Sequence, residues 1–158
     1  MFDAFLIKPD SLKNDYDAEG KATGFQFAVR IADYRGCFLS LVNGYYINVD
    51  GTEYGRELQT FEINGKAPRT YEELKTCVWE HWNYDDAGIV HVKKEGGLAP
   101  GKHKIGILQS ILAQYGYMPW DEEWVKNPPV PKPGSAEGGG KTETVSEFDL
   151  ELQEGGNA

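Results

Sequence analysis

Three histidines, His81, His91 and His103, and two cysteines, Cys37 and Cys77, are the residues best suited to bind a metal or to act as base or nucleophile. A metal site needs such ligands on one face, or in a tight spacing such as i, i+4 on a helix. The spacing here offers neither. His91 and His103 flank a turn at Gly96–Gly101 and fall out of register if their strands pair symmetrically about it. His81 sits between Trp79 and Trp82. These read as structural histidines. A cysteine nucleophile needs an activating base, and Cys37 lies in an apolar run that reads as core.

Two further patterns invite chemistry and fail on context. Gly138-Gly139-Gly140-Lys141-Thr142 resembles a phosphate loop, but the position that requires the first glycine holds Ser135. The segment also follows a Pro-rich stretch rather than a strand, and no helix pattern comes after it to cradle a phosphate. Asp85-Asp86 and Glu122-Glu123 are paired carboxylates. Glycosidases set two carboxyl groups ~5–9.5 Å apart on opposite sides of the bond they cleave, which adjacent loop residues do not predict. The aromatics carry more information. Trp79, Trp82 and Tyr84 form one group; Tyr115, Tyr117, Met118, Trp120 and Trp124 form another. Such groups suit protein interfaces and ring-stacking surfaces as well as the closed ends of a core.

The elements that would position these residues are mostly strands. Phe25, Phe27, Val29 and Ile31 alternate, as do Tyr45, Ile47 and Val49. That period of two places each set on one face. Cys37–Val42 predicts a buried strand. Asp50-Gly51 and Asn64-Gly65 are hairpin signals, because these residues accept positive φ at little cost. Gly88–Lys93 is a strand, and the long run from His103 carries apolar residues on both faces, which predicts a central strand. Thr70-Tyr71-Glu72-Glu73 is a capping box, predicting one helix that runs to about Val78 or Trp79. Roughly seven or eight short strands with one short helix predict a mainly β protein, an antiparallel β-sandwich, with a small open barrel as the alternative.

The sandwich is expected over 1–125. A Pro/Gly-rich connection follows over 126–141, extended at its proline end and flexible at its glycine end. A final strand and tail occupy 142–158, where Phe148, Leu150 and Leu152 alternate. An apolar strand beyond a loose connection needs a sheet edge, in its own domain or on another chain. The formal net charge is −9, and no Lys/Arg cluster is long enough to track phosphates, which argues against a nucleic-acid partner. No apolar run is long enough to span a bilayer. Two cysteines make no disulfide framework. With no secretory segment behind Met1, a cytoplasmic protein with reduced thiols is expected.

Several stretches in order resemble a known family. They are Asp10-Ser11-Leu12-Lys13-Asn14, Gly24-Phe25-x-Phe27 leading to Arg30-Ile31, Tyr34-Arg35-Gly36 with Leu39-Ser40, and Val49-Asp50-Gly51. Tyr71 and Trp79 before Trp82, then Gly96-Gly97-Leu98-x-Pro100-Gly101-x-His103 and Tyr117-Met118-Pro119, complete the set. Together they resemble the small (β) subunit of the C-glycoside deglycosidases, from about Met1 to Trp120; the tail from about Pro128 lies outside the resemblance.

The resemblance implies a β-sandwich bound to a larger TIM-barrel α subunit that carries a divalent metal, usually manganese. It implies a complex, a carbon–carbon lyase, that breaks the bond between sugar and aromatic aglycone in 3-oxo-C-glucosides. The catalytic residues of that family lie on the other chain, so it implies none here and no cofactor or metal on this chain. Tyr117, Met118, Pro119 and Trp120, with Trp82 second, are the residues expected at the subunit interface or the edge of the substrate pocket. Tyr34-Arg35-Gly36 is expected to be a structural turn. The rival readings are a stand-alone carbohydrate-binding β-sandwich and a metal-dependent cupin-like enzyme.

Overall fold

A computed structural model describes residues 6–31, 37–83, 86–111 and 145–153. Two four-stranded antiparallel sheets pack face to face. The first contains β1 (Lys13–Tyr16), β2 (Ala22–Val29), β6 (Gln59–Glu62) and β8 (Gly88–Lys93), in the order β1-β2-β8-β6. The second contains β4 (Val42–Val49), β5 (Thr52–Tyr54), β9 (Lys102–Ile111) and β10 (Ser146–Glu151), in the order β10-β9-β4-β5. A two-stranded ribbon of β3 (Cys37–Phe38) and β7 (His81–Trp82) lies beside them. This is the antiparallel sandwich that the alternation predicts.

The core forms where the alternating residues of the two sheets meet. Phe25, Phe27 and Val29 of β2, Phe61 of β6 and Val90 and Val92 of β8 are buried. So are Tyr45, Ile47 and Val49 of β4 and Ile105 and Ile107 of β9. Phe25 meets Tyr54 of the other sheet edge-on, with ring centroids 5.3 Å apart, a favoured geometry for aromatic quadrupoles. At the β4–β5 hairpin Asp50 and Gly51 take φ of 52° and 92°. Two positive φ values in a two-residue loop give the turn whose twist matches that of the strands.

Three sequence expectations change in detail. Cys37–Val42 is not one strand: β3 has two residues, Leu39–Leu41 forms a 3₁₀ turn, and β4 starts at Val42. The pairing of β4 with β9 slips between Val42 and Gly44. Gly44 stands at φ 124°, and a Cβ there would lie 2.7 Å from Arg56 Cδ and 3.0 Å from the Tyr71 ring. The bulge therefore depends on glycine. The helix α1 spans Tyr71–Leu74 and stops short of Val78. Its capping box is present: Glu73 N–H donates to the Thr70 hydroxyl at 3.2 Å, and Thr70 N–H donates to the Glu73 carboxylate at 2.9 Å. Beyond Leu74, which is buried, Val78 and Trp79 are exposed, so no packed face extends the helix. Third, β8 and β9 do not pair with each other. The 94–101 connection carries the chain from one sheet to the other, pinned by Asn14, whose amide bonds both Leu98 N–H (2.8 Å) and Leu98 C=O (3.0 Å).

The strand after the Pro/Gly-rich stretch finds its edge in its own domain. β10 pairs antiparallel with β9 from Ser146↔Ile107 to Glu151↔Lys102. That makes β9 a central strand, as its two apolar faces predict. No helix among the described residues is long and apolar enough to cross a membrane.

Candidate functional site

His91 projects from β8 on the outer face of the first sheet. Its Nδ1 donates to Asp15 Oδ2 on β1 at 2.8 Å, and its Nε2 donates to Glu62 Oε1 on β6 at 2.7 Å. With both carboxyl groups ionised, each ring nitrogen donates, as in an imidazolium. Burial opposes that charge, but the hydrogen bonds to Asp15 and Glu62 outweigh it and raise the pKa above its ordinary value. One cation thus ties the two edge strands of the sheet. An open groove of about 710 Å³ is lined by His91 together with Asp15, Asp17, Lys21, Thr60, Lys93 and Lys94, among others.

His103, at the start of β9, is held the same way. Nδ1 donates to Asp50 Oδ2 at 2.6 Å and Nε2 donates to the Ala99 carbonyl at 2.7 Å. Its pKa is again raised, because these bonds exceed the effect of burial. Asp50 in turn accepts from the Lys104 amide and from His103, which lowers its own pKa. A doubly donating imidazolium has no lone pair for a metal. His81 is exposed, with Nδ1 2.9 Å from Asn83 Oδ1 and its ring edge-on to Phe38 at 5.1 Å. Among the described residues, no group of three or more His, Cys, Asp or Glu side chains is placed to hold a metal ion.

Polar groups inside the sandwich also serve its architecture. Gln59 Nε2 donates to the carbonyls of Tyr45 (2.9 Å) and Tyr54 (3.0 Å), and its Oε1 accepts from the Tyr71 hydroxyl at 2.7 Å. Gln109 Nε2 donates to the Tyr45 hydroxyl and to the Arg30 carbonyl, both at 2.9 Å. Burial raises the pKa of Tyr45 and of Tyr71 far above the usual phenol range, so both phenols stay neutral. Asn43 bridges Ser110 (3.0 Å) and Arg56 (2.7 Å). This arrangement satisfies buried amides and hydroxyls that would otherwise cost stability.

The corner next to the β3–β7 ribbon is different. Glu80 is a hub: it accepts from Arg69 at 2.8 and 2.9 Å, from Lys66 at 2.8 Å and from Asn64 at 2.9 Å. Arg69 first, then Asn64 and Lys66, hold its carboxyl well below the usual range. The hub locks the segment that links α1 to β7. Trp82, at the inner end of that segment, is fully buried, packs on Phe61 with ring centroids 5.0 Å apart, and donates Nε1–H to the Asp86 carbonyl at 2.8 Å. Among the described residues, the large hydrophobic side chains left exposed are Tyr16, Phe38, Val78 and Trp79, and Trp79 is 90% exposed. Phe38 pairs with His81 across the ribbon, and Leu39 N–H donates to the Glu80 carbonyl at 2.8 Å. These pairings set Phe38 beside the end of the segment that carries Val78 and Trp79, and the three mark one corner of the molecule.

Of the residues expected at an interface, Tyr117, Met118, Pro119 and Trp120 lie outside the described residues, as does the Tyr34-Arg35-Gly36 turn. Cys37 and Cys77 are not joined in a disulfide, and both are partly buried. The His91 clamp and the Glu80 hub were missed by sequence reasoning. Asp15, Glu62 and His91 are scattered in sequence and meet only once the strand order is known. Asn64-Gly65 signalled a turn but not that its amide reaches Glu80.

Fold and side-chain placement together define a small antiparallel sandwich whose histidines and buried amides hold its own strands in place. The comparisons give that class a family. The family model for the C-glycoside deglycosidase beta subunit matches residues 2–115. A C-glycoside deglycosidase beta subunit of Eubacterium cellulosolvens is 34% identical over 100 residues, covering 63% of this chain and 67% of that protein. The chain belongs to the C-glycoside deglycosidase beta subunit family.

Proposed function

We propose that this chain is the small, non-catalytic subunit of a cytoplasmic, heteromeric C-deglycosidase. A larger TIM-barrel α subunit carries a divalent metal, manganese, and the catalytic groups. The complex cleaves the C–C bond between sugar and aromatic aglycone in a 3-oxo-C-glucoside. A carbonyl at C3 acidifies the proton at C2; a base removes it, the charge resting on the C3 oxygen, and the enolate then forms a C1=C2 double bond as the C1–aglycone bond breaks, its electron pair leaving with the aglycone carbon, which takes up a proton. This chain stabilises the larger subunit and borders its pocket, with Tyr117, Met118, Pro119 and Trp120 as the assigned border and Trp82, buried in the core, second.

The observation that carries this reading is the family match over 2–115. The test is an assay for aglycone release from a 3-oxo-C-glucoside. The isolated chain should release none, the chain mixed with the larger subunit should release it, and manganese removal by chelation should abolish it. Release by the isolated chain, with partner excluded by mass spectrometry, refutes the proposal.

A further inference from the structure

We infer that the corner formed by Phe38, Val78 and Trp79 is the surface on which the larger subunit docks, with Trp79 as its anchor. The inference rests on the subunit reading above and names the place it leaves open. All three residues lie inside the stretch that matches the family model.

The corner is apolar and exposed. Trp79 is 90% exposed, Val78 51% and Phe38 43%. Glu80, next to Trp79, makes four side-chain hydrogen bonds and so anchors the chain beside the indole. Tryptophan is prominent among interface anchors because its large ring has only two side-chain torsions to fix on burial. Two aromatics at ~150–250 Å² each, with a valine, supply about half of the ~800 Å² per partner that a standard interface buries. The rest would come from the surrounding rim.

Charge selects the occupant. The chain carries −9 overall, yet the charged residues of the 66–80 segment that bears Val78 and Trp79 are engaged with one another or with the helix cap. Lys66 and Arg69 pair with Glu80, Lys75 pairs with Glu72 at 3.1 Å, and Glu73 closes the helix cap. An apolar protein face can cover this corner without stranding a charge. A second copy would bring another −9 against the first, and a nucleic acid or anionic membrane would meet the same repulsion. A different protein with an apolar, aromatic-accepting face fits best, and the larger subunit is the partner the family reading supplies.

The test uses the full chain and the purified larger subunit, with affinity measured by calorimetry. Trp79→Ala should weaken binding about 10²-fold, Phe38→Ser and Val78→Ser about 10-fold each, and Tyr16→Ser, elsewhere on the molecule, less than 2-fold. Thermal unfolding of the isolated chain should be the same for wild type and Trp79→Ala. Wild-type affinity in both Trp79→Ala and Phe38→Ser overturns this inference and leaves the subunit reading standing. Failure of the wild-type chain to bind the larger subunit overturns both. Two other occupants are excluded separately. A dimer of the isolated chain that Trp79→Ala dissociates, seen by light scattering, would assign the corner to a second copy. Iodide quenching should show that Trp79, read as wild type minus Trp79→Phe, is open in the isolated chain; protection there would assign the corner to the chain itself.

Discussion

Trp79 and Trp82 lie three positions apart in one short segment and occupy opposite extremes. Trp82 is fully buried and Trp79 is 90% exposed. The inner ring is explained by folding alone: it packs on Phe61, satisfies its N–H on Asp86, and ends the core beneath the β3–β7 ribbon. The outer ring is not. Nothing in the sandwich is stabilised by leaving an indole in water, and burying such a ring is favourable by roughly 1.5–3 kcal/mol or more. Between them Glu80 anchors the backbone, so neither ring can trade places with the other. A segment that fixes one tryptophan inward and the next outward has two tasks, core closure and presentation.

The sharpest way to separate those tasks is to remove the inner ring. Trp82→Ala should cost ~3–5 kcal/mol, through lost burial and the cavity left beside Phe61. Urea unfolding should show a lower midpoint with an unchanged slope. A loss below 1 kcal/mol would break the comparison at its firmer end, since Trp82 would then not be a core residue in solution.

The second test strikes the hub between the rings. Glu80→Gln keeps the shape but removes the charge that Arg69 and Lys66 face. Arg69 is largely buried, with a side-chain exposure of 17%, and its Nε has no hydrogen-bond partner among the described residues. The variant should lose ~2 kcal/mol at neutral pH. The sign with pH follows from linkage. The folded carboxyl sits below its ordinary value of 4.5. Its stabilisation is therefore full above the unfolded value and is lost as pH falls toward the folded one. The difference between wild type and Glu80→Gln should be constant above pH ~5 and shrink below it. A difference that grows on acidification would show that Glu80 is not ion-paired as described.

Much of this arrangement was legible in the sequence, for reasons that also mark where legibility stops. Alternation at Phe25, Phe27 and Val29, and at Tyr45, Ile47 and Val49, foretold the two inner faces, because period two is a local property of strands. The capping box at Thr70 and Glu73 and the hairpin at Asp50-Gly51 were readable for the same reason: each is closed within a few residues. The helix end was misplaced because Val78 and Trp79 look like a continuing apolar face, and only packing shows that no surface receives them. The bulge at Gly44 was hidden for a similar reason, since the Arg56 and Tyr71 side chains that leave no room for a Cβ there come from elsewhere in the chain. The clamp on His91 was the least legible, as Asp15, Glu62 and His91 come from three strands whose order only topology supplies.

That clamp gives a third test, on the region where charge is used for holding strands rather than for framing a surface. The folded pKa of His91 lies above its ordinary 6.5. A raised pKa contributes stability that is full below the unfolded value and is lost as pH rises through the folded one. His91→Gln should therefore cost ~1 kcal/mol at pH ~6 and progressively less on the alkaline side. Taking the difference between wild type and variant cancels the parallel titration of His103. A penalty that increases with pH would mean that His91 is neutral in the fold, and that Asp15 and Glu62 are not both its acceptors.

The smallest expected effect returns to the outer ring. Trp79→Ala should change the stability of the isolated chain by less than ~0.5 kcal/mol, since surface substitutions away from caps and networks usually fall in that range. Truncation of a core tryptophan and of a surface one would then differ by several kcal/mol within one segment of four residues. The near-zero value is informative because the side chain is large: an indole that contributes to folding cannot be removed without a loss. A destabilisation above ~1 kcal/mol would place Trp79 against its own chain in solution, and the distinction between the two rings would collapse. A neutral result, measured alongside the loss in Trp82→Ala, leaves Trp79 an exposed apolar group that the fold carries but does not use.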